Sequence, residues 1–197
     1  MASDVHVGLL TLRLGFVKAF VARGTAGHLL IDTGTRGSLP AIADQLGREG
    51  VALKDISVIV ITHAHTDHTG GLADVVQATG AKVIAHRLEA EALSTRPDVT
   101  VDDELDLSQY GVSARIIWTP GHSRGSLSVI MESGEAVVGD LVLPRFMAFG
   151  PPANAFWAAS REDSLASIRK VLDLKPSVIL TSHGGPYRPE VLARLVR

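Results

Sequence analysis

Residues 62–71, THAHTDHTGG, set three histidines and an aspartate within six positions directly behind the β-branched run of residues 56–62. A run of that kind and length reads as a buried strand. The chain must therefore deliver a strand end whose continuation gathers imidazoles and a carboxylate in one place. In an extended segment residues two apart face the same side, so His63 and His65 converge on one cation. Asp67 and His68 follow at the turn marked by Gly70 and Gly71, where they can address a second position. Imidazole with carboxylate suits zinc, iron or manganese.

The surrounding sequence predicts alternating strands and helices. Strands are expected over residues 7–14, 16–22 and 28–31, then a helix over 39–46, the strand 56–62, a helix over 72–78, a strand over 82–85 and a helix over 87–93. Further strands are expected over 112–118, 126–131, 136–138 and 177–180, with helices over 161–172 and 189–196. Two such halves suggest two sheets packed together with helices outside, in a single domain covering 1–197. Residues 143–157 read as one long irregular stretch, and loops of that length are commonly functional.

Composition removes several alternatives. The 197 residues are 46% hydrophobic and 20% charged, enough for a sizeable core. A net charge of -2 with no basic cluster argues against a nucleic-acid partner. No cysteine is present, so there is no disulfide, thiolate ligand or cysteine nucleophile. Asp4 stands where a signal peptide wants basic residues, and no apolar run reaches the ~20 residues of a membrane span. The expectation is a cytoplasmic protein with no membrane partner.

Together with IDTG at 31–34, TPGHS at 119–123, the Gly139–Asp140 pair and SHGG at 182–185, the first motif resembles the metallo-β-lactamase superfamily over essentially the whole chain. The resemblance implies a four-layer αββα sandwich of two mixed sheets with outer helices. It also implies two divalent metals, zinc foremost with iron or manganese as substitutes: one held by His63, His65 and His122, the other by Asp67, His68 and His183, with Asp140 bridging. Local reasoning supports each late ligand. His122 and His183 each follow a strand and sit in a glycine-rich turn, and Asp140 ends an apolar strand where a lone carboxylate would be costly. Asp32 meets the same burial problem, and the resemblance makes it a hydrogen-bond partner of the metal-binding loop. His6, His28 and His86 are expected to pack or cap.

The resemblance implies a hydrolase that uses a metal-bridging hydroxide on a small-molecule ester, thioester, lactone or phosphoester, with Asp67 orienting the nucleophile. The site looks most like glyoxalase II, although the chain ends about a dozen residues after His183, where that enzyme carries a helical part for glutathione. The tyrosine that lactonases of the superfamily place shortly after the bridging aspartate is missing. Phe146, Met147, Phe149, Phe156 and Trp157, with Tyr187, are expected to wall the substrate pocket. Two other readings stay open: a persulfide dioxygenase with one iron, and a binding module without chemistry.

Overall fold

A computed structural model describes residues 9–146, 149–153 and 159–197. The first sheet holds six strands in sequential order: β1 (Leu9–Leu14), β2 (Val17–Ala22), β3 (His28–Ile31), β4 (Ile56–Val60), β5 (Lys82–His86) and β6 (Val99–Val101). β1, β2 and β3 pair antiparallel, and β3 through β6 run parallel. The second sheet has the order β13 (Val178–Leu180), β10 (Glu135–Val137), β9 (Leu127–Met131), β8 (Ala114–Trp118) and β7 (Glu104–Asp106). Only its β10–β13 pair is parallel. Both sheets are mixed, as expected.

Strands covered on both faces need apolar residues throughout, and the period of two then sends alternate side chains into different layers. In β4, Val58 and Val60 join Phe20, Ile31, Ile116, Val129 and Leu180 in the core between the sheets. Ile59, and Ile61 just past the strand, point the other way and pack with Ile42, Leu46, Leu72 and Val75. Those four come from helices α1 (Leu39–Arg48) and α3 (Leu72–Thr79), between which the single turn α2 (Thr66–Thr69) lies in the loop after β4. On the far face of the second sheet, Ile117, Ile130 and Ile179 meet Ile168, Val171 and Leu192 from α4 (Arg161–Asp173) and α5 (Pro189–Ala193). The result is the four-layer αββα sandwich.

One local expectation is corrected. Residues 143–157 are not one irregular loop: β11 (Leu143–Phe146) and β12 (Phe149–Ala153) form an antiparallel hairpin of their own, pairing Pro144 with Pro152. An isolated two-stranded ribbon tolerates proline because it has no central ladder to interrupt. Of the residues expected to wall a pocket, Met147, Phe156 and Trp157 lie outside the described residues. The helix expected after β5 is a 3-10 helix, Arg87–Ala92. Strands β6 and β7 had no expectation at all, being three-residue edge strands in a polar stretch.

The topology brings the functional segments to one edge. β8 and β10 each run antiparallel to β9, and β13 runs parallel to β10, so all three end on the same side. The loop after β4 meets them there, where Leu127 N donates to Thr62 O at 2.8 Å. Lys18 N, just past the β1–β2 turn, donates to Ser182 O at 2.9 Å.

Candidate metal centre

All seven residues expected as ligands converge at this edge. They arrive from the loops after β4, β8, β10 and β13, and their ligand atoms form two groups: His63, His65 and His122, then Asp67, His68, Asp140 and His183. In the first group, His65 Nδ1 lies 3.1 Å from His63 Nε2 and 3.0 Å from His122 Nε2. Three nitrogens bound to one tetrahedral metal at ~2.0–2.1 Å would stand about 3.3 Å apart, so the cluster has nearly the required size. In the second group, His183 Nε2 is 3.0 Å and His68 Nε2 3.6 Å from Asp67 Oδ2.

Asp140 joins the two. Its Oδ2 stands 3.5 Å from His68 Nε2 and His183 Nε2, 3.6 Å from His122 Nε2 and 4.0 Å from His63 Nε2. Its other oxygen, Oδ1, and His68 Nε2 are buried without a hydrogen-bond partner. Buried polar atoms are rarely left in that condition, and a cation between them would remove the cost. The residues present therefore fit a divalent metal.

Hydrogen bonds behind the rings fix which nitrogen faces the centre. Asp32, buried, accepts from Thr62 N and Thr62 Oγ1, both at 2.8 Å, and from His68 Nδ1 at 2.8 Å, leaving Nε2 of His68 to point inward. Thr62 Oγ1 in turn lies 3.1 Å from His63 Nδ1. His183 Nδ1 donates to Phe16 O at 3.0 Å, and the exposed Phe16 ring stacks on the imidazole at 5.8 Å. The carbonyl after His183, that of Gly184, accepts from Lys18 Nζ. Asp32 holds φ at 63°, a left-handed conformation that an aspartate adopts here while its carboxylate secures the loop.

Charge divides the rings without metal. Burial, reinforced by the neighbouring imidazoles, holds His63 well below the ordinary histidine range. Burial likewise pushes His122 down to about 4. Burial would lower His68 too, but Asp32 and Asp140 overcome it and push the ring up to about 10. The hydrogen bond from His183 draws Asp67 down to about 2. Burial opposes protonation of His183, yet Asp67 and Asp140 raise it overall.

The spare histidines fall away from the centre where described. His86 Nδ1 caps the following turn by accepting from Leu88 N at 3.1 Å, while Nε2 donates to Asp102 O and the ring stacks on Trp118. His28 Nδ1 accepts from Gly24 N, and His6 lies outside the described residues. Sequence reasoning missed Thr62, Phe16, Lys18 and Glu89. None carries a motif of its own; Thr62 alone had a signal, as the residue adjoining the first histidine.

The chain is similar to known proteins. The family model described as the metallo-beta-lactamase superfamily matches residues 12–183. The mouse metallo-beta-lactamase domain-containing protein 1 is 30% identical over 95% of this chain and 71% of its own length. A probable metallo-hydrolase of Methanocaldococcus jannaschii is 32% identical over 58% of this chain, and a hydroxyacylglutathione hydrolase of Methylobacillus flagellatus is 32% identical over 57%. The chain spans 62% and 44% of those two proteins. Among solved structures, a metallo-beta-lactamase family protein of Thermus thermophilus superposes with a TM-score of 0.75 at 24% identity, covering 96% of this chain and 78% of that one. A metallo-beta-lactamase from Pontibacter korlensis reaches 0.78 at 18% identity, covering 100% and 96%. The solved structures share the fold and the family model spans the loops that converge here: the chain belongs to the metallo-beta-lactamase superfamily.

Proposed function

We propose that this chain is a dinuclear metal-dependent hydrolase acting on a small-molecule ester, thioester, lactone or phosphoester. One observation carries the reading: a single carboxylate oxygen, Asp140 Oδ2, lies within 4.0 Å of imidazoles from both clusters. His63, His65 and His122 hold one ion, Asp67, His68 and His183 the other, and Asp140 belongs to both. Zinc suits this donor set, and iron or manganese are accepted by it as well. Such ions lower the pKa of water toward ~7 and polarise a carbonyl or phosphoryl oxygen.

The protein's own groups orient the reaction. Asp67, held down to about 2 in the metal-free protein and so ionised at neutral pH, would offer its carboxylate to the ion and as an acceptor for the hydrogen of an attacking water. Phe16, exposed beside His183, offers an apolar face to a substrate at the rim. The hydroxyacylglutathione hydrolase among the relatives places thioesters first on a substrate panel.

Metal analysis and activity together test the proposal. Protein loaded with zinc or manganese is expected to hold two ions per chain and to turn over at least one of these substrate classes. His65→Ala and Asp140→Ala are each expected to abolish that turnover in folded protein, because the ligands act as a unit. One iron per chain with oxygen uptake on glutathione persulfide would point to a dioxygenase instead.

A further inference from the structure

Glu89 is a buried carboxylate that lies outside both ligand clusters. It sits in the 3-10 turn after β5, and among the described residues no lysine or arginine forms an ion pair with it. It accepts three hydrogen bonds instead. Oε2 takes the N–H of Ala64 at 2.9 Å, the residue between His63 and His65. Oε1 takes Ser123 Oγ and Gly125 N, each at 2.9 Å, from the loop that carries His122.

These two loops belong to different sheets. The first leaves β4, and the second joins β8 to β9. One side chain thus ties the two arms of the three-histidine cluster together, alongside the backbone bond from Leu127 N to Thr62 O. Its seat is closely fitted: a Cβ on Gly125 would lie 2.6 Å from Glu89 Cγ and 2.7 Å from Oε1, so only glycine lets the loop approach. Ser126 Oγ, 2.8 Å from Ser123 Oγ, holds that hydroxyl in place. The other cluster has different supports, Asp32 behind His68 and Phe16 O behind His183, and Glu89 bonds to neither.

We propose that Glu89 is the positioning residue of the first metal site: it clamps the His63–His65 loop to the His122 loop, so that metal affinity there, and not at the Asp67–His68–His183 site, depends on it. The proposal rests on the metal-centre reading above. Glu89→Gln keeps the volume but puts an amide NH2 against either the Ala64 N–H or the donors of Ser123 and Gly125, so at least one bond is lost in either orientation.

The test is a cobalt(II) titration of chelator-stripped protein, followed by the visible bands of the ion. Imidazole resonances in NMR spectra assign each binding step, those of His63, His65 and His122 to the first site and those of His68 and His183 to the second. In Glu89→Gln the first site is expected to weaken about 10–100-fold while the second changes less than about threefold. Asp32→Asn, which touches His68 directly and reaches His63 only through Thr62, should weaken the second site more than the first. Ser123→Ala removes one donor, serves where Glu89→Gln fails to fold, and is expected to weaken the first site with the same selectivity. Equal weakening of both sites, or unchanged affinity in folded variants, would overturn the role of Glu89. Failure of the unmodified protein to bind two cobalt ions would overturn the metal-centre reading itself.

Discussion

His68 and His122 are both buried imidazoles a few ångströms from the same carboxylate, yet they hold their protons oppositely. Asp32 and Asp140 keep His68 protonated up to about pH 10 in the metal-free protein, whereas burial leaves His122 neutral above about 4. A metal takes the neutral ring, so filling the second site at pH 7 must expel the proton of His68, while His63 and His122 have none to lose. Second-site affinity should therefore rise with pH from 7 toward 10. Titration calorimetry at pH 7 in buffers of different ionisation enthalpy is expected to count at least one proton released per ion at that site. The residues of the two clusters were legible in the sequence because the His-x-His-x-Asp-His spacing is rare by chance. Glu89 was not, since an acidic residue in HRLEAEAL looks like any solvated helix face until the fold turns it inward.

Loops and helices decide how firmly those ligands are held. Gly121, at φ 144°, brings the His122 loop against the start of α4: a Cβ there would lie 2.5 Å from Ser164 Cα and 2.6 Å from Ser164 N. Because backbone cannot yield as a side-chain tip can, Gly121→Ala is expected to cost about 2–4 kcal/mol of stability. Urea denaturation of the metal-free protein measures it. α4 was legible as a helix over 161–172, and in the structure Ser160 caps it by accepting from Asp163 N, with Glu162 and Asp163 in its first turn. The β11–β12 hairpin was not, because Pro144, Pro151 and Pro152 are breakers in a central strand and harmless in a free ribbon.

The sandwich as a whole was legible from the alternation of apolar strands with amphipathic helices, since each face must be buried against another layer. The strand order was less so. β6 and β7 carry the chain from one sheet to the other through residues too few and too polar to announce themselves. Since loops of both sheets supply the two clusters, a bound metal would oppose their separation. Removing it with a chelator is expected to lower stability by about 4 kcal/mol when the metal is present at a thousandfold excess over its Kd. Thermal unfolding with and without chelator, followed by re-addition of zinc, checks the loss and its recovery.

The bond from His183 to the carbonyl of Phe16 spans 167 positions of the chain. During synthesis, the hairpin that orients this ring is therefore finished long before the ring exists. A nascent chain can assemble the HAHTDH segment early and still lack the second cluster until strand β13 has emerged and docked. Full metal loading thus becomes a late checkpoint, reached only by chains that have already brought the beginning and the end of the sandwich together.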